Sequence, residues 1–397
     1  MASHSCMFTL CVLRITVFMA EHSDVLILGG GVIGLTTAWF LAEAGVRVTI
    51  VDKGDFGRGA SWAGAGILSP ASPEHAHTAL DQLRARSWDL FPLLSRKLYE
   101  RTGIDNGYLC CGGLELFTRA DEEPSDEWHS EGIAFEELQS DELHHRYPEL
   151  SPAVQRAYYL PEMAQVRNPR HLKALQAACT ACGVSLRPGC AVHRLVGNGS
   201  RITSVDTDQG RFSAGCYLLA AGAWSESLLA PLGWQPGIRP VRGQIALLNT
   251  GIAAVRPMLL CGKRYVVPRN DGRVLVGSTE EDAGFDARTT AAAIAELLHF
   301  AVSLVPNLAE AAVERCWAGL RPGSPDGKPF LGAVPGIDNL FVAAGHFRAG
   351  IQLSPATALV MKQLLVGEKS AIPLEEFRLD RPLDLTVGEK KNARGAS

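Results

Sequence analysis

Two arginines occupy positions unsuited to a solvated cation. Arg348 lies between two glycines in GHFRAGIQLSP, directly after the apolar run LFVAAG, and Arg321 joins the apolar CWAGL to the Pro/Gly turn of RPGSPDGKPFLG. A guanidinium presents five donors in a fixed planar fork, so both residues ask what anion they face. The competing use is a loop clamp, in which the same donors bond main-chain carbonyls. No arrangement of nucleophile and base accompanies them.

The element that would bring a cofactor to these arginines lies near the other end of the chain. DVLILGGGVIGLTTAWFLAEAGVRVTIVDKG reads as a strand over 24–28, a helix over 32–44 and a second strand over 46–51 ending at Asp52. Between strand and helix stands G-x-G-x-x-G, formed by Gly29, Gly31 and Gly34. The first glycine permits a tight turn, the second lets the backbone approach a pyrophosphate, and the third lets helix and strand pack closely. Amides at the helix start would face the diphosphate, and the Asp52 carboxylate would accept from ribose hydroxyls. This fingerprint alone leaves FAD and NAD both open. Downstream, RGASWAGAGILSP supplies small residues that could run against an extended cofactor.

Length and charge bound the rest. At 397 residues the chain has room for two domains, and a net charge of -4 gives no reason to expect nucleic acid or an anionic membrane as partner. The ten cysteines include one CxxC, Cys179 and Cys182, inside a helical pattern with no second pair, which argues for reduced thiols and no metal site. The apolar first twenty residues are interrupted by Arg14 and too short to span a bilayer, so cytoplasmic localisation is expected, with residues 1–19 a non-structural extension. The acidic run at 121–127 reads as a solvated loop or helix start.

Further helices are expected over 78–101, 168–182 and 290–304, and short strands near 185, 191–196 and 202–207. The apolar CYLLAAGAWS reads as a strand returning to the first sheet. Strand-rich GQIALLNT, RYVVPR and RVLVGS form a different pattern and point to a second domain. RCWAGL, LFVAAG and SPATALVMKQLLVG then read as strand, strand and helix, before a charged tail.

LILGGGVIGL, SWAGAGIL, LLAAGAWS, RYVVPR, CWAGLRPGSPDGKPFLG and AAGHFRAGIQLSPAT occur here in the order and spacing of a known family. The chain resembles the glycine oxidase branch of the D-amino acid oxidase-like flavoproteins over about residues 23–379. This resemblance implies a mixed α/β and α+β fold: a discontinuous Rossmann-like FAD-binding domain (20–90, 150–230 and 312–379), an inserted antiparallel-sheet substrate domain (91–149 and 231–311), and a tail (380–397). It places flavin contacts on Val32, Ile33, Asp52, Lys53, Ala60, Ser61, Ala65, Gly66, Ile67 and Val192, and on the run His346, Phe347, Arg348, Ala349, Gly350, Ile351 and Gln352. The substrate carboxylate would meet Arg321 and Arg348, with the Tyr265 hydroxyl a third partner. His346 is read as scaffolding beside the flavin, since hydride transfer from a neutral amine needs no protein base.

Three residues depart from the family pattern. Lys263 stands where a histidine occurs, and Glu280 and Glu281 stand where an apolar side chain can occur. Covalent flavin attachment, found in related sarcosine oxidases, needs a suitably placed cysteine, and the surroundings of Cys316 do not match. The resemblance thus implies noncovalent FAD, a small amino acid substrate, dioxygen as acceptor, and an imine with hydrogen peroxide as products, supplying dehydroglycine for thiamine thiazole synthesis. Self-association is left open. The alternatives are a D-amino acid or sarcosine-type dehydrogenase feeding a quinone or partner protein, and a flavin-stabilised binding protein without turnover, against which the arginine pair argues.

Overall fold

The computed structural model describes residues 23–117, 127–252 and 254–383. The extension at 1–19 and nearly all of the acidic run at 121–127 lie outside these residues.

The apolar run Ser23–Leu28 forms the central strand of a six-stranded sheet. It pairs in parallel with Val48–Val51 on one side and Ala214–Leu219 on the other. Ser185–Arg187 and Leu340–Ala344 extend the parallel set, and Phe330–Ala333 closes one edge antiparallel. CYLLAAGAWS therefore does return to the first sheet. Its strand ends at Leu219, three residues before Gly222.

Between the first two strands runs the helix Val32–Glu43, apolar on nearly every side because helices Asn168–Ala181 and Gly350–Leu365 also pack on it. Its two threonines are buried at no cost in unpaired hydroxyls, and its one charged residue, Glu43, is exposed at the C-terminal end. Thr36 and Thr37 donate to the Val32 and Ile33 carbonyls at 2.7 and 2.8 Å. Trp39 and Leu35 are fully enclosed, a burial of about 1.5–3 kcal/mol for a side chain such as Leu35.

Helix Ala79–Thr102 starts where its sequence dictates. Thr78 accepts from the Asp81 amide, Asp81 accepts from the Thr78 amide, and Gly103 at φ 68° ends the helix. Such a cap contributes about 1 kcal/mol.

The second sheet has eight strands, in the order 312–323, 239–249, 273–277, 264–268, 258–261, 113–117, 156–160 and 136–139. All neighbours are antiparallel except Met258–Cys261 with Gly113–Phe117. Two strands grouped by sequence with the first unit, Arg156–Leu160 and Ala312–Gly323, pair inside this sheet. The latter also reaches the first unit: Trp317 Nε1 donates to the Ala63 carbonyl at 3.1 Å, and Gly323 bridges His346. That long strand carries Arg321 to where the two sheets meet.

Candidate active site

A cavity of about 470 Å³ runs from the glycine turn to the two arginines. At its first end, Gly29 holds φ 117°, a conformation open to few residues other than glycine, and any side chain there would strike the Ala220 carbonyl. A side chain at Gly34 would strike the Gly29 carbonyl, so this position serves helix–strand packing and does not line the cavity. No acidic residue lies in the helix's own first turn, a feature that suits the positive end of its dipole to an anion. The Val32 amide is already taken, donating to Ser61 Oγ at 3.0 Å.

Asp52 lines the cavity and also holds the turn together, accepting from the Gly30 amide at 2.7 Å and the Gly54 amide at 2.9 Å. Each carboxylate oxygen retains a lone pair for a further donor. Beside it the Lys53 ammonium sits 3.2 Å from the Trp224 ring centroid, and burial pushes this amine below its ordinary value. Small residues, an anion-ready helix start and an acceptor on the second strand together fit the pyrophosphate and ribose of a dinucleotide.

At the other end, sheet register decides which side chains meet. Tyr265 pairs with Gly277, Gly277 with Ile245, and Ile245 with Trp317, so these four share one face. Arg321, four residues after Trp317, lies on that face too. Two glycines make room there. A β-carbon on Gly243 would fall within the Arg321 guanidinium, and one on Gly277 would stand 2.6 Å from the Tyr265 ring.

Arg321 is half-buried and held from behind: Nη1 donates to the Thr279 carbonyl at 3.1 Å and Nη2 to Ser278 Oγ at 2.6 Å. Its partners there are uncharged, and N–H donors remain for an incoming carboxylate. Burial lowers its pKa, while the neighbouring Tyr265 pulls the other way.

Arg348 is placed differently. It is exposed, Nη1 stands 3.2 Å from Glu280 Oε2, and Nη2 donates to the Lys263 carbonyl at 2.8 Å. Lys263 Nζ reaches the other Glu280 oxygen at 3.3 Å. The departures at Lys263 and Glu280 are therefore one ionic cluster around Arg348. Glu281 turns elsewhere, to Arg242 and Gln244. His346 is buried with Nε2 3.1 Å from Thr357 Oγ1, and burial pushes its pKa down to about 3, so the ring is neutral at physiological pH.

Of the residues singled out from sequence, Gly29, Gly31, Val32, Ile33, Asp52, Lys53, Ala60, Ser61, Val192, Arg321, His346, Phe347, Arg348, Gly350 and Ile351 line the cavity. Gly34, Ala65, Gly66, Ile67, Tyr265, Ala349 and Gln352 do not. Ala65 gives its carbonyl to Arg269 Nη2 at 2.6 Å, Gly66 accepts from the Val166 amide, Ile67 pairs with Gln165, and Gln352 donates to the Ser69 carbonyl. These residues shape the wall from outside. Sequence reasoning missed Gly243, Gly277, Ser278, Thr279 and Arg269. A glycine inside an apolar strand was the available signal for the first two.

Residues 24–364 match the family described as FAD dependent oxidoreductase. The chain belongs to that family. FAD is its cofactor, and the glycine turn with Asp52 is the part of the FAD-dependent oxidoreductase fold that the sequence displays most openly. Within the family, the chain is 40% identical over 351 residues to a glycine oxidase of Pseudomonas putida, covering 88% of this chain and 96% of the relative. It superposes on the crystal structure of glycine oxidase from Geobacillus kaustophilus with a TM-score of 0.86 at 35% identity, covering 91% of this chain and all of that one. It is also 36% identical over 376 residues to a bifunctional ThiO/ThiG protein of Synechocystis, spanning 93% of this chain and 55% of that protein. Among the described residues, no helix is long and apolar enough to cross a membrane.

Proposed function

We propose that this chain oxidises glycine or another small amino acid at its C–N bond, with Arg321 anchoring the substrate carboxylate. The observation that carries this reading is the Arg321 guanidinium: half-buried, lining the cavity, braced by two uncharged acceptors, with donors to spare. Two parallel charge-assisted bonds to a carboxylate would fix both the distance and the plane of a small substrate. Tyr265 shares the sheet face of that guanidinium, and Ser278 and Thr279 keep it oriented.

Bound FAD supplies the hydride acceptor. The protein's share is orientation, since burial with a pKa of about 3 makes His346 too weak a base to take the amine's proton, and its ring is engaged by Thr357. The amino acid loses two electrons and two protons and becomes an imine; dioxygen takes up both and becomes hydrogen peroxide. The similarity to glycine oxidases and to a ThiO/ThiG protein supports glycine as substrate and supply of the imine to thiamine thiazole synthesis.

Anaerobic mixing with glycine, sarcosine, D-alanine and proline tests the reading, with bleaching of the oxidised flavin band as the signal. Glycine or sarcosine should bleach it, and admitted air should restore colour with peroxide formed in equal amount. No bleaching by any of the four rejects the reading. Bleaching restored only by a quinone or dye rejects its oxidase half.

A further inference from the structure

The two arginines differ in what already occupies them. The side-chain donors of Arg321 go to a hydroxyl and a carbonyl, whereas Arg348 has a carboxylate, Glu280, which Lys263 shares. One carboxylate thus serves two cations at the exposed edge of the site. Glu280 and Arg348 are also close enough to Arg321 to act on it electrostatically, in opposite directions. A small amino acid brings a single carboxylate, for which Arg321 is available. A second carboxylate on the substrate would have to displace Glu280 or meet its charge.

We propose that Glu280 is a specificity-determining residue, an internal carboxylate that occupies Arg348 and Lys263 and so disfavours amine substrates carrying a second carboxylate. This rests on the proposed amino acid oxidation at the same site. Selectivity here comes from repulsion and prior occupancy, not from an added attraction. Because the cluster is solvent-exposed, its effect is moderate and weakens with salt.

The test uses flavin-loaded wild type, Glu280→Gln and, as control, Glu281→Gln, whose carboxylate faces Arg242. The quantity read is the ratio of kcat/KM for N-(carboxymethyl)glycine to that for glycine at low ionic strength. Glu280→Gln should raise it about fivefold, the upper reach of an exposed ion pair. A rise of threefold or more in this variant alone supports the inference. A smaller change, or an equal rise in Glu281→Gln, overturns it. The ratio of Kd for malonate to Kd for acetate, read from the flavin spectrum without turnover, should fall by the same factor. That second measurement decides the matter even for an enzyme that oxidises none of the amino acids. Glu280→Ala, read the same way, replaces the Gln variant if that protein does not retain flavin.

Discussion

The Arg321 guanidinium lies against the backbone of Gly243, with no space between them for a β-carbon. Gly243 sits mid-strand without the positive φ that would bar other residues, so Gly243→Ala is acceptable to the backbone. What must move is the far end of Arg321. The variant should fold and bind FAD normally, with a Tm within a few degrees of wild type, while kcat/KM for the preferred amino acid falls roughly 10- to 100-fold. Unaltered kinetics would show that the observed guanidinium position does not matter to turnover.

Arg321→Lys asks the complementary question, retaining charge but replacing a rigid fork with a point charge. Losing one charge-assisted hydrogen bond of about 1.5–3 kcal/mol should lower kcat/KM roughly 10- to 150-fold, with FAD content near normal. A loop clamp would respond otherwise, because Ser278 and Thr279 would lose their donors and thermal stability would drop instead. An amine analogue lacking the carboxylate separates the two. It should lose little more in the variant than in the parent.

What the sequence disclosed follows from how local each signal is. The strand, turn and helix over residues 23–43 were legible to within about two residues, because glycine spacing and apolar runs report on neighbours along the chain. The strand Glu136–Gln139 reads EELQ and carries no apolar alternation, as expected of an edge strand. The parallel pairing of Gly113–Phe117 with Met258–Cys261 joins segments about 145 residues apart and leaves no local trace. Arg348 was legible as a site residue but not its occupancy, since Glu280 lies 68 positions away and the Lys263 carbonyl is a backbone atom. Sequence motifs located the cavity's lining; only the register of the second sheet revealed which side chains share a face.

Asp52 has two duties, and its removal should expose both. Asp52→Ala deprives the Gly30 and Gly54 amides of their acceptor as well as removing a carboxylate that lines the cavity beside the glycine turn. FAD affinity, titrated by fluorescence on the apoprotein, should fall at least about tenfold, consistent with losing charged hydrogen bonds. Enzyme that retains flavin should keep most of its kcat. A loss of kcat at full flavin occupancy would place Asp52 nearer the chemistry than its position beside Gly30 indicates.

The flavin should be released intact by acid precipitation. Cys316 is an odd number of residues from both Trp317 and Arg321, so its side chain points to the opposite face of the strand and packs with the second sheet's core. Burial raises its pKa and keeps it a thiol. Cys190 lines the cavity, near the Asp52 end, where its thiol lies 3.4 Å from Thr207 Oγ1. Yellow colour left in the washed precipitate would overturn noncovalent binding.

Acid sensitivity should trace in part to a histidine remote from the two arginines. His171 is fully buried against Phe91, with Nδ1 3.1 Å from the Asn106 amide nitrogen. That amide's orientation is set by its other bonds: Nδ2 donates to Ser95 Oγ, and Oδ1 accepts from the Tyr108 amide. Nδ1 must therefore accept, and a second proton on the ring would face a donor. Burial accordingly pushes the pKa down to about 4 from the ordinary 6.5. Between those values the unfolded chain binds a proton that the folded one refuses, so stability is lost as pH falls through 6.5 toward 4. The loss from this residue is about 2 kcal/mol at pH 5 relative to pH 7. His346, down at about 3, acts in the same direction. His171→Gln keeps an acceptor for Asn106 but cannot titrate. Its unfolding free energy in urea should start lower at pH 7, through lost ring packing, yet decline about 2 kcal/mol less than wild type on going to pH 5. Equal declines in the two proteins would show that His171 is not held neutral in the fold.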